Sequence, residues 1–107
     1  MKRMSINEVS VIFEIKIPAY EKCARKDPVT ELQKIRLHEL GVNTTGLKCK
    51  GQATALIKAL NKRDAEGLVD AFAVMLIREI GYKNRKPFKT MTQKYAFQIL
   101  SLFQVLP

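Results

Sequence analysis

Hydrophobic and polar positions follow a helical period over most of the chain. From residue 28 onward, apolar residues recur three or four positions apart, the spacing that places side chains on one face of an α-helix. This pattern predicts four helices, over residues 28–40, 50–63, 68–80 and from about 91 to 104. Polar, glycine-containing segments separate them. The chain is therefore expected to be mainly α.

Start and stop signals accompany these helices. Asp27 before Pro28 is typical of a helix start, and Thr90 with Gln93 has capping-box spacing. Gly41 and Gly81 follow the first and third helices, where a left-handed residue commonly ends a helix. The residues predicted to be buried are, helix by helix, Leu32, Ile35, Leu37 and Leu40; Ala53, Leu56, Ile57 and Leu60; Leu68, Ala71, Phe72, Met75, Leu76 and Ile80; and Tyr95, Ala96, Ile99, Leu100 and Phe103.

The segment before residue 18 has a different pattern. In residues 9–17 apolar side chains fall on every second position, which predicts a short β-strand with one apolar face, ended by Pro18. The partner of this strand is open: a hairpin strand, a second copy of the chain, or none if the segment is instead a short helix. Residues 18–27 are predicted to be a linker or a short helix.

The chain has 107 residues, a length typical of one domain. Within it we distinguish a strand and linker (1–27), a first helical hairpin (28–66) and a second (67–107). The hairpins are similar in sequence: the first helix matches the third at an offset of 40, which aligns Gly41 with Gly81. The second matches the fourth at an offset of 43, which aligns Ala53 with Ala96. A tandem repeat is one interpretation; the other is that any two helical hairpins look alike.

The first hairpin resembles a SAP module, also called a helix-extended-loop-helix module. The resemblance rests on Leu32, Leu37 and Leu40, then Gly41-Val42, then residues 45–48, then Leu56, Ile57 and Leu60. The paired hairpins also resemble the small helical repeats at the tails of phage-type helicases. Both resemblances imply DNA or RNA binding through helix N-termini and the basic loop. The gap from Lys48 to Leu56 is longer than in SAP modules, and residues 70–74 lack the polar stretch of the helicase tails.

Charge adds a class of partner to this picture. Nineteen Lys and Arg residues face ten Asp and Glu residues, giving a formal net charge of +9. From Ile80 to the end there are five basic residues and no acidic one. Such an excess attracts polyanions, although a basic surface also serves solubility alone.

Two basic groups are the candidate nucleic-acid contacts. The first lies on the loop after the third helix and at the start of the fourth, with Tyr82 beside it as a base-stacking or a capping side chain. The second lies on the loop before the second helix and on its outer face. The candidates are Lys83, Arg85, Lys86, Lys89, Lys94 and Tyr82 in the first group, and Lys48, Lys50, Lys58, Lys62 and Arg63 in the second.

Other chemistry has little support in the sequence. Cys23, Cys49 and His38 are too few for a structural zinc site, and a disulfide between the cysteines is disfavoured in a reducing compartment. No phosphate-binding glycine motif is present, and the carboxylates at 31, 39, 64, 66, 70 and 79 are scattered over helix surfaces. We therefore expect no enzyme activity and no metal or cofactor. With neither a membrane-spanning run nor a leader pattern, the chain is expected to act in the cytoplasm, of the host cell if phage-encoded.

These features favour a small nucleic-acid-binding module with weakly sequence-specific phosphate contacts. The alternative is a protein-interaction module, such as a phage-type regulator or inhibitor, that docks on an acidic partner. In that case residues 9–17 would add to another chain's sheet or pair two copies in a homodimer.

Overall fold

Five α-helices occupy the described residues, 2–83 and 86–103, of the computed structural model. A single 3-10 turn, Tyr20–Lys22, separates the first helix from the others. The helices are α1 (Ile6–Ile12), α2 (Glu31–Glu39), α3 (Lys50–Ala65), α4 (Ala71–Glu79) and α5 (Gln93–Leu102). Helix α2 packs against α3, and α4 packs against α5. The prediction of a mainly helical fold is confirmed.

The predicted strand at residues 9–17 is wrong, because α1 covers the first part of it. Ser5 starts α1 with a capping box: its hydroxyl accepts from the Glu8 N–H at 3.1 Å, and the Glu8 carboxylate accepts from the Ser5 N–H at 3.1 Å. Val9 and Phe13, four positions apart, are buried, whereas Val11 is 69% exposed. The alternating pattern therefore included two apolar residues, Val9 and Phe13, at the spacing of one helix face. Residues 14–19 have no regular secondary structure.

Three helices begin later than the sequence predicts. Thr30, not Asp27, caps α2, because Thr30 and Gln33 form a reciprocal capping box with two bonds of 3.1 Å. Asp70 caps α4 by accepting from the Ala73 N–H at 2.8 Å. Thr92 rather than Thr90 caps α5, because Thr92 accepts from the Tyr95 N–H at 3.1 Å. In each case the residue with a side-chain bond to the third helical N–H defines the start.

Helix α2 buries a different face from the predicted one. Leu37 is fully buried, but Leu32 is 79% and Ile35 52% exposed. With 3.6 residues per turn, Ile35 and Leu37 point about 200° apart, so burial of one leaves the other outside. Helices α3 and α5 bury most of their predicted residues, including Ala53, Leu56, Leu60, Ala96, Ile99 and Leu100.

Helix α4 lies against the end of α2. Its Ala73, Val74 and Ile77 join the core, while the predicted Phe72, Met75, Leu76 and Ile80 are only partly buried. Gly41, with a φ of +84°, ends α2 where a side chain would meet the Ala71 Cβ and the Phe72 nitrogen at 3.1 Å. Glycine is required there both for the left-handed backbone and for the close approach of α4.

The segment that contains α1 joins both helix pairs. The Met4 N–H donates to the Gly41 carbonyl at 2.8 Å, and the Asn43 N–H donates to the Met4 carbonyl at 2.8 Å. Further along, Arg78 of α4 donates to the Glu8 carboxylate at 2.5 Å. The fully buried Met4 side chain completes this connection. The N-terminal segment is thus an integral part of the fold.

Candidate nucleic-acid interface

One face of α3 carries a line of polar and basic side chains. Lys50, Thr54, Lys58 and Lys62 follow each other at four-residue intervals, and all but the half-buried Lys50 are exposed. At a rise of 1.5 Å per residue, neighbouring members are about 6 Å apart along the helix axis. We call these four residues the α3 stripe. They lie together because Ala53, Leu56 and Leu60 turn the opposite face of α3 into the core.

Helix α2 fixes the position of the α3 stripe from one side. The Gln33 amide donates to the Thr54 hydroxyl at 3.1 Å, and the Arg36 guanidinium donates to the Asn61 amide oxygen at 2.7 Å. Both bonds join polar faces of two packed helices, so the stripe is presented on a rigid pair rather than on a loop.

Two further basic residues lie at the N-terminal end of the stripe. Lys22, Arg25 and Lys50 line one open pocket of about 320 Å³. Backbone bonds hold this arrangement, since the Lys50 N–H donates to the Asp27 carbonyl at 2.6 Å and the Gly51 N–H donates to the Arg25 carbonyl at 2.9 Å. Lys22 and Arg25 are not among the predicted contacts, because residues 18–27 were predicted to be a linker or a short helix. The basic composition of that segment was the one available signal.

Several residues of the loop after α4 are engaged in contacts within the protein. Lys89 pairs with Glu14 at 3.2 Å, and the Lys86 ammonium lies 4.6 Å from the centre of the Tyr95 ring. Tyr82 packs edge-on against Phe103 with ring centres 5.7 Å apart, which favours a packing role for it. Lys83 and Lys94 are exposed, and Arg85 lies outside the described residues.

Arg63 does not lie on the outer face of α3, and that prediction is wrong. Its side chain is buried, and its guanidinium donates to three backbone carbonyls, of Lys89 at 2.7 Å, Val69 at 3.0 Å and Phe88 at 3.1 Å. The guanidinium carbon also lies 3.9 Å from the centre of the Phe13 ring. Burial lowers the pKa of Arg63 from its ordinary value, while nearby Glu66 opposes the shift. Arg63 is a structural residue that connects α3 to the loop before α5 and to α1.

Ion pairs engage some of the basic side chains but not the stripe. Arg25, Lys34, Arg36, Arg78 and Lys89 each have a carboxylate partner. Among the described residues, no carboxylate pairs with the three lysines of the α3 stripe or with Lys48. No carboxylate in that part of the chain therefore neutralises these four charges directly.

The structure brings together no group of metal-ligating side chains in the part of the chain that it describes. His38 is exposed and stands apart, and no three His, Cys, Asp or Glu residues come together as metal ligands. Asp70 is occupied as a helix cap and by a 2.7 Å bond from the Gln93 amide. None of the helices in residues 2–83 and 86–103 has the length and apolar character needed to cross a membrane.

Comparison with known proteins gives no match: no family model fits the chain, and no curated protein or solved structure is similar to it. The resemblance to SAP and helicase-tail modules thus rests on the residues quoted for it.

Proposed function

We propose that this chain is a binding protein rather than an enzyme, and that it binds nucleic acid through phosphate contacts centred on the α3 stripe. The observation that carries the proposal is the line of three lysines on one rigid helix face, with no ion-pair partner among the described residues. Lys48, Lys22 and Arg25 extend this positive surface at the N-terminal end of α3.

The spacing of the stripe suits a phosphate backbone. Lys58 and Lys62 are about 6 Å apart along the axis of α3. Successive phosphates of one strand rise about 3.4 Å each along a duplex axis, so two phosphate steps cover a similar distance. Lysine ammonium groups bind phosphates as point charges and carry little sequence information. Binding is therefore expected to be strongly salt-dependent and weakly sequence-specific, with DNA and RNA both accepted.

A tandem repeat is a second part of the proposal, and several features support it. Helices α2 and α4 begin 40 positions apart, and α3 and α5 begin 43 positions apart, the two offsets of the sequence alignment. At the first offset, Thr30 and Asp70 are both helix caps, and Gly41 and Gly81 both have positive φ.

Equivalent hydrogen bonds provide the strongest support for the repeat. The bond from the Lys50 N–H to the Asp27 carbonyl corresponds to the bond from the Gln93 N–H to the Gly67 carbonyl. Each joins the first residue of the second helix to the segment before the first helix. We propose that the two hairpins descend from one unit, and that the resemblance to SAP modules extends to both.

The second hairpin lacks the charges of the stripe. The positions that correspond to Lys50, Thr54 and Lys58 are Gln93, Phe97 and Ser101. The first hairpin is therefore the proposed nucleic-acid-binding half.

The test is fluorescence anisotropy with labelled single- and double-stranded DNA and RNA, stepped from about 50 to 200 mM salt. We expect micromolar binding at the low end and a linear fall of log affinity with log salt. Changing Lys50, Lys58 and Lys62 together to Gln should lower the slope by about 2–3, because each lost phosphate contact removes about 0.9 from it.

The matched control changes Lys83, Lys86 and Lys89 to Gln, which removes the same charge from the loop after α4. A smaller loss for this control supports the α3 stripe as the site. A larger loss would assign binding to the loop instead, and equal losses would mean that net charge alone drives it. Absence of binding to all four probes at low salt would overturn the nucleic-acid proposal.

Exposed apolar side chains favour protein interaction as the second candidate function. Phe97 is 45% and Leu102 80% exposed beside Lys94 on α5. An acidic, apolar partner segment would suit that face. Docking or dimerisation through an N-terminal strand is not part of this candidate, because residues 6–12 are helical. Binding of a partner that persists at high salt and is lost on changing Leu102 to Ser would support this candidate.

A further inference from the structure

Two thiols from distant parts of the sequence meet beside the start of α3. The Sγ atoms of Cys23 and Cys49 lie 3.1 Å apart, although the residues are 26 positions apart in the chain. Both cysteines are buried and both are free thiols. A disulfide bond is about 2.05 Å long, so an approach of roughly 1 Å would bring the two sulfurs to bonding distance.

The backbone holds both thiols in place without help from the sulfur atoms. The Lys50 and Gly51 N–H groups donate to the Asp27 and Arg25 carbonyls, and the Gln52 amide donates to the Pro18 carbonyl at 3.0 Å. A Cβ at Gly51 would lie 3.0 Å from the Arg25 carbonyl oxygen and 3.4 Å from the Cys23 sulfur. Glycine at this position therefore allows the segment that carries Cys23 to approach the helix that follows Cys49.

Of the two cysteines, Cys23 is the one that lines a described pocket open to solvent. Cys23 lines the open pocket of about 320 Å³ described above, together with Lys22, Arg25 and Lys50. Cys49 does not line it and is fully buried. Lys22 and Lys50 at the pocket, together with Arg25 that pairs with Asp27, favour a negatively charged reagent over a neutral or positive one.

The two thiols also differ in acidity. Burial raises the pKa of Cys49, but the hydrogen bond with Cys23 and the nearby N–H groups of Gln52 and Gly51 outweigh it, so that this pKa lies below its ordinary value. The neutral Cys49 thiol itself makes no capping bond to α3. The hydrogen bond with Cys49, together with burial, raises the pKa of Cys23. Cys49 is thus the stronger acid of the two and reaches the thiolate form more readily, which suits it to attack a mixed disulfide on Cys23.

We propose that Cys23 and Cys49 form a redox-active dithiol, which a small anionic disulfide converts to an intramolecular disulfide bond. Cys23 loses its proton to water, and the Cys23 thiolate attacks one sulfur of the reagent RS–SR. A mixed disulfide forms and one RS⁻ leaves. Cys49 then gives up its proton and attacks the Cys23 sulfur, which releases the second RS⁻. The protein loses two protons and two electrons, and RS–SR becomes two RSH.

The experiment exposes the reduced full-length protein to oxidised glutathione, which is anionic, and follows free thiols by alkylation in denaturant and mass spectrometry. The expected product has lost both thiols at once, carries no glutathione and remains monomeric. Its urea midpoint should be higher than that of the reduced protein, because the bond closes a loop of 26 positions. The proposal would be overturned if both thiols were still alkylated in denaturant after the folded protein had been exposed to oxidised glutathione, or if a disulfide-linked dimer formed.

Single variants separate the two steps. Cys49→Ser should accumulate the mixed disulfide on Cys23, because no second thiol resolves it, whereas Cys23→Ser should react much more slowly at the buried Cys49. The positively charged disulfide cystamine should react more slowly than oxidised glutathione at low salt. This preference should shrink in Lys22→Gln and persist in Lys58→Gln, a control outside the pocket. Faster reaction at Cys49 than at Cys23 would contradict the assignment of the attacking thiol.

Discussion

Replacement of Arg63 tests how much a buried guanidinium contributes to this fold. In Arg63→Met the side chain keeps an unbranched apolar stem and loses all donors, so three carbonyl groups that accept from it lose their partner. An unsatisfied buried acceptor costs about 1–3 kcal/mol, and a desolvated cation–π contact adds about 2 kcal/mol. Two effects offset part of this loss. The guanidinium no longer has to be desolvated, and the carbonyl group of the exposed Lys89 can accept from water instead.

The net expectation is a loss of about 3–5 kcal/mol, a large part of the roughly 5–15 kcal/mol that stabilises a domain. Urea unfolding followed by circular dichroism should show the midpoint falling by about 1–5 M, which is this loss divided by an m-value of about 1–3 kcal/mol/M. Arg63→Lys should be intermediate, because one ammonium keeps the charge but cannot reach all three carbonyls. The exposed neighbour Lys62→Met is the control and should stay within about 0.5 kcal/mol of wild type. Equal midpoints for Arg63→Met and Lys62→Met would refute the structural role of Arg63.

Three other outcomes follow from the contacts. Gly41→Ala should cost about 1–2 kcal/mol more than Gly81→Ala in thermal or urea unfolding. Both variants carry the left-handed penalty, but only at Gly41 do α4 atoms lie 3.1 Å from the added Cβ. Equal costs would contradict that contact. Hydrogen bonding by the Ser5 backbone and by Arg78 lowers the pKa of Glu8, so its contribution to stability is present above pH 4.5 and is lost as the pH falls through the lower folded value. Glu8→Gln should therefore be less stable than wild type at pH 7, and the difference should shrink as the pH falls below 4.5 in urea titrations; a constant difference would argue against this linkage. Ser5→Ala should cost about 1 kcal/mol and selectively increase hydrogen exchange in α1; protection equal to wild type would show that the cap contributes little.

Periodicity predicted the longer helices well because burial and local propensity agree there. In α3, Ala53, Leu56 and Leu60 are buried as expected, and the helix starts at the predicted residue. In α1 the two signals disagreed: β-branched residues at alternate positions favoured a strand, while the capping box at Ser5 favoured a helix. The capping box was present in the sequence and could have been recognised.

The candidate site was harder to predict because it depends on tertiary contacts. Lys58 and Lys62 were found from helical spacing alone, since exposure follows directly from the opposite apolar face. Arg63 is adjacent in sequence to Lys62, yet the loop before α5 encloses it, a contact that no local pattern encodes. Lys22 and Arg25 reach the stripe only through backbone bonds with Lys50 and Gly51, which join an irregular segment to a helix.

The long-range contacts of α1 have a consequence for the order of folding. Helices α2 and α3, like α4 and α5, are neighbours in sequence, so each pair closes a short loop and can form early. By contrast, α1 contacts Arg78 through a bond between residues 70 positions apart. Its docking must wait until both pairs are in place, so the transition state for folding is expected to contain the hairpins but not α1. Destabilising changes in α1 should then accelerate unfolding and leave the refolding rate nearly unchanged.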